Sequence, residues 1–324
     1  MATSQAQEGT MAIAATADTA ARGVDVRNRR SRNRRRTHGS SGLLFVLPFL
    51  LLFIAMLIVP LGYSLYTSVF ETRLIGGRNF VGFDNYRAVL RDPVFRSGVL
   101  RVARFLVLQV PPMLGLALFF ALALDSGKLR FAKVIRLLIF LPYAVPSVVA
   151  AVMWSYLYGP NYGPFAQMFR GAGLTAPVFL GSKLILLAIA NIVSWEFIGY
   201  NMIIMFAALR AVPRELYEAA AVDGASEWRT AWSIKIPAIY PAIVLTLIFS
   251  VIGSFQLFNE PQILRQTVPN VVSLAYTPNL YAYNLAFTNQ QLEYAAAVSF
   301  MLGFVILIVS YTTLYGVNRR GRRA

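Results

Sequence analysis

The sequence predicts an all-α, polytopic membrane protein with six transmembrane helices, and three observations predict it. Of 324 residues, 57% are apolar and only 14% are charged, against about 25% charged in an ordinary soluble domain. The mean hydropathy is +0.58. The apolar residues gather into six runs, at 43–66, 105–124, 137–158, 184–209, 236–258 and 294–317, each near or above the ~20 residues that carry a helix across about 30 Å of hydrocarbon. The runs are continuous rather than alternating, which argues against transmembrane strands. Lipid cannot satisfy open backbone groups, so each run closes its own hydrogen bonds as a helix.

Before the first run, residues 1–42 are rich in Ala, Ser, Thr and Arg without apolar periodicity. They read as a disordered basic cytoplasmic tail, ending in an Arg cluster that includes Arg27, Arg29, Arg30, Arg34 and Arg36. The first run then reads as a signal anchor, because it is long and no small-residue cleavage site follows it. The net charge of +16 suggests nucleic acid in a soluble protein. Here the basic residues flank apolar runs and set topology instead, so no nucleic-acid partner is expected. With the amino terminus inside, the inner segments hold eight, four, four and four Lys and Arg and the outer ones seven, two and one, accounting for all 30. That bias places both termini in the cytoplasm of a cell-membrane protein in contact with lipid. The first outer segment is the basic exception and reads as an interfacial amphipathic helix over 85–95. A second short basic tail occupies 318–324.

Prolines lie inside or beside the runs, at Pro48, Pro60, Pro111, Pro112, Pro142, Pro146, Pro237 and Pro241. Each removes a backbone donor and is expected to bend or break its helix. The sequence has no Cys and one His, His38, which removes thiolate metal sites, iron–sulfur clusters and most catalytic triads. No metal and no cofactor are expected.

The segment 213–237, between the fourth and fifth runs, is unlike a connecting loop. It reads as helix, turn, helix. Pro213 suits a first helical position, and Glu215 complements the positive helix end. Ala219, Ala220 and Ala221 form helix readily and let another surface approach the backbone. Gly224 permits a left-handed turn, and the Asp223 carboxylate is expected to cap the second helix. Trp228, Trp232 and Ile236 recur at i, i+4 and i+8 as one apolar face. These features fit a docking knob and equally a hairpin resting on lipid.

At this point the residues resemble a known family. Glu218-Ala219-Ala220, Asp223-Gly224-Ala225, Ile234 and Pro237 are similar to the EAA loop of permease subunits of binding-protein-dependent ABC importers. Ala231 departs from the family, which usually carries Phe there. Phe80-Val-Gly-Phe-Asp-Asn-Tyr86, Phe140-Leu-Pro-Tyr-Ala-Val-Pro146 and Phe255-Gln-Leu-Phe-Asn-Glu260 resemble segments of the carbohydrate-importing, maltose-permease-like branch. The likeness runs over about 43–317, with the core permease fold over about 100–317. It implies a coupling hairpin on the cytoplasmic side between spans four and five. It also implies a second, different permease chain, two ATP-binding subunits and an extracytoplasmic solute-binding protein. By carry-over, Glu218, Asp223 and Gly224 shape the contact with the ATPase, and Ala219, Ala220 and Ala225 set close packing there. ATP hydrolysis is then expected on a separate subunit: the fragment Ser126-Gly-Lys-Leu129 lacks the Ser or Thr after Lys and the earlier Gly of a phosphate loop.

Glu196 is the one ionisable residue inside an apolar run, and its cost in lipid requires it to face protein or water. It stands beside Asn191, Trp195, Tyr200 and Asn201, and the fifth run ends with Ser254, Gln256 and, just beyond it, Asn259. Polar groups that pair hydroxyls, next to aromatic faces on which a sugar ring stacks, make these residues candidates for a substrate pathway. Ordinary interhelical hydrogen bonding is the competing role. The resulting expectation is an ATP-driven importer of a sugar or oligosaccharide. The alternatives are a permease for another solute, such as glycerol phosphate, or a stand-alone secondary transporter, which would call for ion-coupling pairs or repeats.

Overall fold

The computed structural model of the chain describes residues 38–73 and 75–321. The chain divides into two units, one up to Tyr63 and one from Ser64 onward. The expected basic tail lies, up to residue 37, outside the described residues, as do residues 322–324 at the other end. The helical path of the first run comprises α1 (His38–Phe53), a π segment (Ile54–Ile58) and α2 (Val59–Ser68). Pro48 sits inside α1 without ending it.

In the second unit an antiparallel ribbon, β1 (Phe70–Arg73) and β2 (Gly77–Phe80), pairs Phe70 with Phe80. It is the only sheet among the described residues. The guanidinium of Arg78 lies 4.5 Å from the Phe70 ring centre. The interfacial helix expected over 85–95 is instead two elements, α3 (Asp84–Arg91) and the first turn of α4 (Pro93–Asp125). The break falls at Asp92 because the residue before a proline avoids the helical region; its ψ is 113°. Asp92 then caps α4, accepting from the Val94 N–H at 2.8 Å and from the hydroxyls of Tyr281 and Tyr294.

Helix α4 runs for 33 residues straight through Pro111 and Pro112, so those prolines do not break it. The third run does break. It forms α5 (Ala132–Phe140), a 3-10 turn (Leu141–Ala144) and α6 (Ser147–Leu157), with a 97° bend at the Val145–Pro146 junction. A short helix follows, α7 (Pro164–Gly171), and then α8 (Ile185–Arg210), the fourth run. Beyond the hairpin helices α9 (Arg214–Val222) and α10 (Glu227–Thr230) come a π segment (Ala231–Lys235), α11 (Ile236–Ala238) and α12 (Tyr240–Phe255). The fifth run bends by 68° before α12 and stops three residues short of its expected end. Helices α13 (Asn259–Thr267), α14 (Pro278–Phe287) and α15 (Leu292–Gly321) complete the chain.

Among the described residues four helices are long and apolar enough to cross a membrane, and six spans result if each bent pair counts as one. The core follows from small residues at close crossings. Ala117 and Ala121 of α4 pack with Met202, Met205 and Leu209 of α8. Ala295, Ala297 and Val298 of α15 pack with Val102 and Phe255. Gly199 of α8 is obligatory: a Cβ there would stand 2.1 Å from the carbonyl oxygen of Ile139, so the broken third run lies directly on the α8 backbone.

Candidate functional site

A cavity of about 270 Å³ opens between α4, α8, α12 and the start of α13. Its wall carries Tyr200, Asn201, Ser254, Gln256 and Asn259, together with Phe197 and Phe258. The bend at Pro146 brings Tyr143 onto Tyr200, where the rings stack at 4.8 Å and 21°. Phe197 meets both rings edge-on. Asn201 donates to the Phe197 carbonyl at 2.9 Å, Ser254 to the Ser250 carbonyl at 2.8 Å, and Asn259 to the Ser147 hydroxyl at 2.7 Å. These bonds fix the polar groups at the rim. The exposed Gln256 side chain makes no hydrogen bond among the described residues, and no Lys or Arg lines the wall. The arrangement is an aromatic face with amide and hydroxyl donors and acceptors around it and one buried carboxyl, Glu260, the chemistry that orients a polar ligand.

Three further residues singled out in the sequence lie off this wall. Asn191 donates to the Tyr158 hydroxyl at 2.8 Å. Trp195 sets its ring edge-on to Trp154 at 5.8 Å. Glu196 is 3% exposed and its Oε1 accepts no hydrogen bond, and the Trp154 Nε1 is likewise unpartnered. Glu260, 6% exposed, is on the cavity wall and escaped the sequence reading. It follows the end of the fifth run, and Asn259 and Glu260 open α13. Burial pushes the Glu260 carboxyl above the usual range, and its own backbone N–H pulls the other way. Neither glutamate is ion-paired among the described residues.

The hairpin stands elsewhere in the second unit. Gly224 has φ +73° and closes α9 as a left-handed C-terminal cap: Ala225 N–H reaches the Ala220 carbonyl and Gly224 N–H the Ala221 carbonyl. Two expectations are corrected. Pro213 is the residue before the helix rather than its first residue. Asp223 ends α9 and does not cap α10; that cap is Ser226, whose hydroxyl accepts from the Arg229 N–H. The Gly224 reversal places Ser226, not Asp223, at the start of the next helix. Glu218, Ala219, Asp223 and Gly224 are exposed, Ala225 is half-buried and Ala220 is buried. Trp228 and Trp232 stay edge-on at 5.8 Å, and Ile236 follows the π segment Ala231–Lys235.

The hairpin is tied down by the Lys235 ammonium, which pairs with Asp125 at the end of α4 and sits 4.7 Å from the Tyr217 ring centre. The two partners are 14% and 5% exposed. Removing one partner of such a buried pair costs about 3–5 kcal/mol, because the other charge is left stranded. A second pair, Lys128 with Glu227, is 71% and 67% exposed.

A set of apolar helices with proline breaks, a polar cavity and an exposed helical hairpin defines a membrane-embedded transport component. The chain belongs to the family described as binding-protein-dependent transport system inner membrane components, whose model matches residues 113–323. It is 31% identical to the diacetylchitobiose uptake system permease protein NgcF of Streptomyces coelicolor, over 94% of this chain and 90% of that protein. It is 32% identical to the lactose transport system permease protein LacF of Rhizobium radiobacter, over 88% of this chain and 97% of that protein. Its fold matches a chain of a bacterial ABC transporter involved in the import of the acidic polysaccharide alginate. That match has a TM-score of 0.73 at 21% identity and covers 86% of this chain and 94% of that chain.

Proposed function

We propose that the protein is the permease subunit of an ATP-driven importer for a neutral sugar or oligosaccharide, and that the polar cavity is part of its path. The observation that carries this reading is the cavity wall: Tyr200, whose ring stacks on Tyr143 behind the lining, stands among amides, hydroxyls and the Glu260 carboxyl, with no Lys or Arg. A phosphate or carboxylate substrate calls for cationic partners, so the wall disfavours a glycerol phosphate. The relatives that transport diacetylchitobiose and lactose support the same class.

In this reading each bent pair is one span, giving six, with both termini and the hairpin in the cytoplasm. The core permease domain covers about 100–317. Glu218, Ala219, Ala220, Asp223, Gly224 and Ala225 form the surface that docks on a separate ATP-binding subunit. That surface is mostly exposed, and the left-handed Gly224 gives it a fixed shape. Two ATP-binding subunits, a second permease chain and an external solute-binding protein complete the assembly. Asn191, Trp195 and Glu196 belong to the pathway beside the cavity.

The test is uptake of candidate sugars by the complete importer in proteoliposomes. Tyr200→Ala and Gln256→Ala are each expected to lower uptake by about tenfold, the equivalent of one lost stacking or hydrogen-bonding contact. Glu196→Ala is expected to change uptake or sugar preference while the assembly survives. Unmodified kinetics in all three assembled variants removes the cavity from the pathway.

A further inference from the structure

We propose that Asp125 and Lys235 form the link that carries movement of the hairpin into the cavity wall, a positioning pair for coupled transport. The proposal rests on the reading that the hairpin docks on an ATP-binding subunit. Its support begins with Asp125. That residue ends a 33-residue helix with no basic residue in its last turn, and the free carbonyls there make a helix C-terminus the wrong end for a carboxylate. The compensating charge comes from 110 residues further on. Lys235 is the last residue of the π segment, and the extra residue in that turn sets the direction in which its side chain leaves the helix.

The same ammonium lies against the ring of Tyr217, which belongs to α9. One buried cation therefore joins both arms of the hairpin to the end of α4. From Asp125 the helix continues without a proline to Met113, which lines the cavity. That stretch of 12 residues spans roughly 18 Å at 1.5 Å per residue. A pull on the hairpin thus reaches the cavity along a single rigid rod, and the pair is the joint between hairpin and rod.

The experiment uses the complete importer in proteoliposomes and reads solute taken up per ATP hydrolysed, with co-purification of the ATP-binding subunits as the control for assembly. Asp125→Asn and Lys235→Met are expected to keep assembly and ATP hydrolysis while uptake per ATP falls by about tenfold, a usual size for coupling between sites. Lys235→Arg and the reversed pair Asp125→Lys/Lys235→Asp are expected to stay within about twofold of the unmodified protein, since both keep a cation against a carboxylate. Unchanged uptake per ATP in both single variants overturns the link. So does a Lys235→Arg protein as uncoupled as Lys235→Met. If a single variant fails to assemble, the reversed pair decides: normal coupling supports the link, and assembly without coupling overturns it. The chain has no Cys, so a cysteine placed at Ser226 separates the two readings. A crosslink to the ATP-binding subunit alongside normal coupling in the variants defeats the link alone. No crosslink in the otherwise unmodified assembly defeats the docking reading and the link together.

Discussion

At the hairpin the carboxylate of Asp125 meets the ammonium of Lys235, whereas around the cavity Glu196 and Glu260 meet no cation among the described residues. All three acids are buried. A paired buried charge holds two elements in one geometry and is costly to separate. An unpaired one leaves hydrogen-bonding capacity unused, which a protein retains where water or a ligand can supply the partner. On the proposed function, the contrast separates a mechanical joint from a site that exchanges its contents. The neighbouring surfaces agree with it. The hairpin presents an exposed knob, and the cavity presents aromatic rings and the uncommitted Gln256 amide.

The most severe way to break the comparison is Gly199→Val. The Ile139 carbonyl already occupies the space a Cβ would need, so the third run must lift off α8 and take Tyr143 away from Tyr200. The expected loss exceeds about 4 kcal/mol, in the range of strong overpacking. It is measured as folded yield and thermal midpoint in detergent. A Gly199→Val protein with unmodified stability would mean that the third run does not lie on α8.

Much of this architecture was legible in the sequence because its causes are local. Apolar runs report helices that face lipid, Gly224 reports a left-handed turn, and Pro146 reports a break through its effect on Val145. At Pro111 and Pro112 the helix is not broken, since whether a helix survives a proline depends on what packs around it. The reasoning failed at Asp92, where the restriction before Pro93 outweighs the helical pattern on either side. For the candidate site, Tyr200, Asn201, Ser254, Gln256 and Asn259 share one wall, although they come from two runs and the residues just beyond the second. Glu260 went unseen because it lies past the apolar pattern, and a carboxylate at the start of a short helix looks like a loop residue. The Asp125–Lys235 pair could not be read at all. Its partners are far apart in sequence and meet only through the packing of α4 and the shift of one residue in a π turn.

A milder change sharpens the comparison from the cavity side. Burial raises the Glu260 carboxyl above its ordinary value, so the folded protein holds that proton more tightly than the unfolded chain does. Stability contributed by this group is therefore present at low pH and is lost as pH rises from the ordinary glutamate range through the raised one. Glu260→Gln removes the titration and is expected to flatten that part of the stability–pH curve. Thermal midpoints of the two proteins measured from pH 4 to pH 8 check it. Parallel curves would show that Glu260 is solvated in the native assembly.

The smallest expected effect comes from the second ion pair. Lys128 and Glu227 tie the turn after α4 to α10, as Lys235 and Asp125 tie the π segment to α4, yet both side chains are mostly in solvent. Exposed pairs are screened by water and salt and lose side-chain entropy on forming, so Lys128→Ala should change stability by less than about 1 kcal/mol. Uptake per ATP should stay as it is. The measurement is informative because the two pairs sit on the same hairpin and differ chiefly in burial. If Lys128→Ala uncoupled transport as strongly as Lys235→Met, the joint would be the hairpin's net charge rather than one buried contact. If only the buried pair matters, burial is what converts an ion pair into a mechanical link.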